Sequence, residues 1–220
     1  MATGEPISTQ GVLSMVSQDR VVLEGVSWET YEKLLEGIGD GATRVTYDQG
    51  VMEIEMSPSF SHESDVGLLI GLVQAIRLWR QVPMATGGST THKRKDLGKG
   101  LEPDACFWIA NEPAMRKVTK LDLLKHPAPD LVIEVDLTSR SVSKINIYAR
   151  LGVPEIWHRT DRGETVFLVL DPTTQSYTES EQSRCFPFVG VASVSKAMKR
   201  VKLLGEDAAL RELLTELGLR

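Results

Sequence analysis

The run Pro129-Asp130-Leu131-Val132-Ile133-Glu134-Val135-Asp136 decides how this chain folds. Its β-formers Leu131, Val132, Ile133 and Val135 lie between Pro127-Ala128-Pro129 and Thr138-Ser139-Arg140-Ser141, the pattern of a strand buried in the middle of a sheet. Side chains two apart on a strand share a face, so Glu134 and Asp136 point the same way. Carboxylates set into such a strand are almost never buried without a partner, and each worsens the other unless a cation sits between them. Either the strand end emerges into solvent, or an Arg or Lys pairs with the acids, or a metal ion binds there. Asp130, four residues before Glu134, reads as a residue that opens the strand.

Outward from this strand the chain reads as a mixed sheet with helices against it. Downstream, Ser141 to Leu151 forms a helix bearing Lys144, Ile147, Tyr148 and Leu151 and closed by Gly152. Val153–Trp157, Glu164–Leu170 and Ser176–Glu179 follow as strands. Upstream, Glu102–Ile109 is a strand in which Asp104, Cys106 and Trp108 face away from Ala105 and Phe107. The connection over 111–128 is polar, with a helical turn at Lys120–Lys125. Earlier still, Ser27 caps a helix with Trp28, Tyr31, Leu34, Leu35 and Ile38 at helical spacing, ended by Gly37, Gly39 and Gly41. Thr43–Tyr47 and Val51–Met56 form a hairpin through Asp48-Gln49-Gly50. After the break at Ser57-Pro58-Ser59, a helix from Ser61 to Trp79 carries Val66, Leu69, Ile70, Val73 and Ile76 on one face. Residues 1–25 are mixed and polar. In the tail, Ala209, Leu210, Leu213, Leu214 and Leu217 make an apolar stripe suited to core packing. The expected organisation is an N-terminal extension over 1–25, one α/β (α+β) domain over 26–192 and a helical tail over 193–220.

Composition narrows the function classes. At 220 residues and 41% hydrophobic, the chain can bury a full core. No apolar run reaches the ~20 residues of a membrane-spanning helix. No basic head with an apolar stretch opens the chain, and Cys106 and Cys185 match no metal or redox spacing, so a reducing cytoplasm is expected. A net charge of −5 argues against tight nonspecific binding of nucleic acid, yet His92-Lys93-Arg94-Lys95 is a dense basic cluster that could contact it. Gly87-Gly88 lacks the Gly-Lys-Ser/Thr that would complete a phosphate loop.

The chemistry centres on Asp104, Glu134 and Asp136 on two strands, with Lys144 on the helix after the second. Two carboxylates from two strands can hold a hard divalent cation such as Mg²⁺. Such an ion activates water and neutralises phosphate charge, and a lysine can stabilise the developing oxyanion. These parts suit phosphodiester hydrolysis. For Glu63, a favourable helix start explains an acid in a first turn, and a lean of His62 or Glu63 towards the sheet acids is the functional alternative.

Gly87-Gly88-Ser89-Thr90-Thr91…Arg94-Lys95-Asp96-Leu97…Gly100-Leu101-Glu102-Pro103-Asp104, then Pro129 through Ser139, then Ile147-Tyr148-Ala149-Arg150-Leu151-Gly152-Val153-Pro154-Glu155-Ile156-Trp157 together resemble the Uma family of bacterial restriction endonucleases. Ser27–Tyr31, Tyr47–Ile54, Ser57-Pro58 and His62-Glu63 extend the likeness, which spans roughly Val26 to Val189. The resemblance implies the PD-(D/E)XK nuclease superfamily, with an αβββαβ core. It implies Asp104 as the first metal-binding acid, Glu134 as the second, the Val135 carbonyl as a further ligand and Glu63 as an auxiliary acid. It implies Mg²⁺ or Mn²⁺ as cofactor. The superfamily lysine belongs two residues after Glu134, where this chain has Asp136. Lys144 is the candidate for a migrated replacement and Lys93 a second. The expected function is therefore a metal-dependent DNA endonuclease, acting as a homodimer where both strands are cut. The alternatives are a nuclease-like DNA-binding or regulatory module that does not cleave, and a structural protein whose acids only form ion pairs.

Overall fold

The structure is a computed structural model that describes residues 13–17, 20–39, 43–56, 59–135 and 142–218. In chain order it runs β1 (Leu13–Ser17), β2 (Arg20–Leu23), α1 (Trp28–Ile38), β3 (Arg44–Asp48), β4 (Val51–Glu55), α2 (Phe60–Arg80), β5 (Ala85–Thr86), β6 (His92–Arg94), β7 (Lys99–Leu101), β8 (Ala105–Trp108) and α3 (Glu112–Met115). It continues with β9 (Leu131–Val135), α4 (Lys144–Leu151), β10 (Glu155–Arg159), β11 (Thr165–Asp171), β12 (Ser176–Ser180), α5 (Val191–Leu204) and α6 (Glu206–Glu216).

The class is the α/β arrangement expected, but the strands divide between two sheets. One is mixed, in the order β12-β11-β10-β9-β8-β5, with β9 and β10 parallel and the remaining pairs antiparallel. Because parallel neighbours need a crossover, α4 supplies it between β9 and β10. The other sheet is antiparallel throughout, in the order β1-β2-β4-β3-β7-β6. Two of its strands come from the segment read as an extension, since Arg20–Leu23 pairs with β4. The strand expected over Glu102–Ile109 is shorter. Leu101 ends β7 in one sheet and Ala105 begins β8 in the other, so Glu102-Pro103-Asp104 is the crossing between them. The turn expected at Lys120–Lys125 is a single turn in which Lys125 N and His126 N donate to Asp122 O at 3.0 and 2.8 Å without continuing into a helix, and the helix of this connection is α3, with Pro113 in its first turn.

β9 is buried on both faces, as its sequence demands. Leu131, Ile133 and Val135 join Ala105 and Phe107 against Val66, Leu69, Leu72, Val73 and Ile76 of α2. Val132 joins Cys106 and Trp108 against Ile147, Tyr148 and Leu151 of α4. Fully burying one such aliphatic side chain contributes about 1.5–3 kcal/mol, and Ile133→Ala would cost about 2–5 kcal/mol through the cavity it leaves. Val194, Met198 and Leu213 of α5 and α6 belong to the same core as α2 and β9, so the apolar stripe of the tail is core packing. The third cluster sets Trp28 and Tyr31 of α1 on Val45, Tyr47 and Met52.

Local signals hold these elements in place. The Ser27 hydroxyl accepts from Thr30 N at 3.1 Å and caps α1, and Ser59 accepts from His62 N at 3.2 Å and caps α2. The hairpin turn puts Gln49 and Gly50 at φ 47° and 97°, the paired positive values of a tight two-residue loop. Asp130 opens β9 by accepting from Ile109 N at 2.6 Å and Asn111 N at 3.0 Å. Gly41, Ser57, Pro58, Asp136 and Ser141 lie outside the described residues.

Candidate active site

Glu134 is the fourth residue of β9 and faces α4, so its carboxylate lies within the apolar layer of Val132, Cys106 and Ile147. It is fully buried. Two groups from α4 meet it. Lys144 Nζ donates to Oε2 at 3.0 Å and to Oε1 at 3.2 Å, and Tyr148 Oη donates to Oε1. Lys144 and Tyr148 are four apart on a helix and so share a face. Ser143 caps this helix by accepting from Asn146 N at 3.3 Å, which makes Lys144 its first residue. A cation at a helix N-terminus works against the helix dipole. The buried Glu134 carboxylate offsets that cost, and the Lys144 side chain is only 1% exposed. The entry of α4 is tied down separately, because Val142 N donates to Glu53 Oε2 at 3.2 Å across to the antiparallel sheet.

Asp104 sits one residue before β8, and the rungs Ala105↔Ile133 and Cys106↔Val132 run straight towards Asp104 beside Glu134. Its Oδ2 accepts from Val135 N at 2.7 Å. Its Oδ1 takes Arg44 Nη1, from the first residue of β3 on the other sheet. His62 of α2 brings Nε2 to 3.4 Å from Asp104 Oδ2 and Nδ1 to 3.3 Å from Glu63 Oε1. Arg44 Nη2 lies 3.8 Å from the same Glu63 oxygen. Three layers of the fold thus converge on one carboxylate. Glu63 is half exposed, at the mouth of this arrangement, while Asp104 is buried.

Burial sets the electrostatics around the pair. The Tyr148 phenol is pushed well above its ordinary value by burial and by the Glu134 charge it faces, so it remains a donor. Glu102 is pushed up, chiefly by burial, although Arg44 and Lys144 nearby favour its charge. Its main-chain carbonyl accepts from Lys144 Nζ at 3.3 Å.

The basic cluster does not stand together. His92 is buried, with its ring stacked on Trp108 and Nδ1 at 2.7 Å from Thr90 O. Burial lowers its pKa to about 4. Lys93 pairs with Glu32 at 2.8 Å, Arg94 with Asp96 at 2.5 Å and Lys95 with Glu29 at 3.1 Å, all nearer the surface. Asp104, Glu134, Lys144 and Glu63 are brought to one region, and Lys93 is engaged elsewhere. His62 leans towards the sheet acid Asp104, the alternative raised for the start of α2; Arg44, Glu53 and Tyr148 complete the centre without having been singled out as its members. Only Tyr148 had a usable signal, its spacing from Lys144.

Among the described residues, no three His, Cys, Asp or Glu side chains form a metal cage. Asp104 and Glu134 still offer hard oxygen donors from adjacent strands, and Mg²⁺ is held by one or two carboxylates while keeping several waters. The donor chemistry fits that ion, with the Arg44 and Lys144 contacts as its competitors.

The mixed sheet, its helices and the antiparallel sheet beside it make a mixed α/β fold. A putative nuclease of the DUF820 family from Anabaena variabilis, solved by crystallography, has this fold, with a TM-score of 0.55 at 12% identity over 84% of this chain and 99% of that one. The model of the Uma2 family, described as putative restriction endonuclease, matches residues 28–199, and the chain belongs to that family. No curated protein matches the chain. No described helix is long and apolar enough to cross a membrane.

Proposed function

We propose that this protein is a metal-dependent endonuclease that hydrolyses DNA phosphodiester bonds. The observation that carries the reading is Lys144, held 3.0 and 3.2 Å from the oxygens of a fully buried Glu134 beside Asp104. Asp104 and Glu134 would hold Mg²⁺ or Mn²⁺, with the Val135 carbonyl as the further ligand the family likeness suggests. When bound, the ion supplies a water of lowered pKa and neutralises charge on the scissile phosphate.

The remaining work falls to the chain's own side chains. Lys144 and Tyr148 fix the Glu134 carboxylate in one orientation, so little reorganisation is needed at the moment of reaction. The Lys144 ammonium, buried beside Glu134 and Asp104, would stabilise the developing oxyanion in a site of low dielectric. Arg44 and His62 hold Asp104 from the opposite side, and Glu63 serves as the auxiliary acid at the mouth. Free thiols at Cys106 and Cys185 suit a reducing cytoplasm, and a homodimer would bring the two centres that cutting a duplex requires.

A second reading has its own observation. The Arg44 guanidinium already occupies Asp104 Oδ1, which favours a DNA-binding module that holds no metal and does not cut. Supercoiled plasmid incubated with Mg²⁺ or Mn²⁺ separates the two. Metal-dependent nicking that disappears in Glu134→Gln and Asp104→Asn supports the endonuclease. Intact plasmid in every arm, with DNA still retained on the protein, supports the binding module.

A further inference from the structure

A trough leads away from the acid centre. A groove of about 510 Å³ opens beside Thr43 and Glu102, and a second of about 520 Å³ continues past Lys95 and Lys125. Thr91, Lys93, Lys120 and Leu121 line both, so the two are one continuous surface feature. Its inner end is joined to the centre twice. The Glu102 carbonyl accepts from Lys144, and Thr43 directly precedes Arg44, which holds Asp104.

The lining changes character along its length. Thr43, Ser89, Thr90 and Thr91 line the inner end, where the Thr90 hydroxyl donates to Gly87 O and the Thr91 hydroxyl to Glu102 Oε1; further out come Lys93, Lys120, Lys95 and Lys125. In a chain of net charge −5, the trough's four lysines outnumber its three acids, Glu32, Glu102 and Asp122, so the local balance is positive. Of its three wall acids, Glu32 and Asp122 are each paired with a lysine, to Lys93 at 2.8 Å and to Lys125 at 2.8 Å, and Glu102 accepts from the Thr91 hydroxyl at 2.8 Å. Exposed bridges of this kind are worth little in water and yield to a competing phosphate. Lys120 forms no ion pair among the described residues and stands exposed between the two grooves. Hydroxyl and ammonium groups in a row hold phosphates and sugars, while carrying no sequence information themselves.

We propose that this trough is the path of the DNA phosphate backbone flanking the bond to be cut, with Lys93 and Lys120 as its phosphate contacts. The inference rests on the endonuclease reading above. It assigns the basic segment a narrower role than its sequence suggests, because His92 is buried and Arg94 does not line the trough.

The test is fluorescence anisotropy on a labelled phosphorothioate duplex, which resists hydrolysis, in Mg²⁺ over a series of salt concentrations. The wild-type protein is compared with Lys93→Gln/Lys120→Gln and with Lys199→Gln/Lys202→Gln, which removes the same charge from exposed positions of α5. The trough variant is expected to bind at least about tenfold more weakly, with a salt slope reduced by about 2, since each phosphate contact contributes about 0.9. The α5 variant should stay within about twofold of wild type. Equal weakening in both variants, or none in the trough variant, overturns the trough while leaving DNA binding in place. A wild-type protein that does not bind the duplex overturns the trough and the endonuclease reading together. Unfolding midpoints that match among the three proteins exclude misfolding as the cause.

Discussion

Two charged regions of this molecule contrast sharply. The run His92 to Lys95 is the densest basic stretch in the chain, yet its cations end in pairs at the surface, such as Lys95 with Glu29, whose side chains are 63% and 65% exposed. Lys144 is isolated in sequence among Val142, Ser143, Ile145 and Asn146, yet its pair with Glu134 is 1% and 0% exposed. Charge density along a chain therefore says little about where charge matters. What distinguishes the two is desolvation: removing one partner of a buried pair strands the other, while exposed partners return to water.

The contrast can be broken at its strong end first. Lys144→Met leaves Glu134 uncompensated in an apolar layer, so urea unfolding should show a loss of about 3–5 kcal/mol. Plasmid nicking by the same variant should fall by at least about 10²-fold. A variant as stable as wild type would mean that the pair adds no net stability to the fold.

His92 should give the next largest effect, and its sign follows from burial. Its folded pKa lies near 4, below the ordinary value of 6.5, so the unfolded chain binds the extra proton first. The stability this histidine contributes is full above about pH 6.5 and is lost as pH falls towards 4, on the order of 3 kcal/mol in total. Unfolding free energies of wild type and His92→Gln, measured between pH 7 and 4.5, should show a slope in the first that is flatter in the second. Parallel curves would remove His92 from the account.

Tyr148→Phe deletes the hydrogen bond to Glu134 and keeps the ring, and should cost about 1.5–3 kcal/mol with a smaller drop in nicking than Lys144→Met. At the weak end, Lys95→Gln should leave the thermal midpoint unchanged within error. A clear shift there would erase the distinction between the two regions.

The same contrast explains what could be read from the chain. β9, α2 and the hairpin at Gln49-Gly50 were legible because apolar period and turn chemistry are local properties. So was the strand-opening role of Asp130. The sheet that holds β1 and β2 was not, since Arg20-Val21-Val22-Leu23 is too short to separate from its polar neighbours. The crossing at Glu102-Pro103-Asp104 merged into the following strand because nothing local reports a change of sheet. Asp104 and Glu134 were legible from the strand pattern as well as from family likeness, but Arg44 was not. It lies 60 residues before Asp104, and no short-range pattern links the two. Tyr148 was within reach through its spacing from Lys144.

One bond described above makes the centre observable by a route independent of cutting. The Val135 amide donates to the Asp104 side chain, so its exchange with deuterated solvent is governed partly by where that carboxylate points. A ligand that draws Asp104 away would release this single amide and leave the amides of Leu131 to Ile133 slow. Val135 is thus a built-in resonance for occupancy of the centre, readable by nuclear magnetic resonance on protein that turns over no substrate at all.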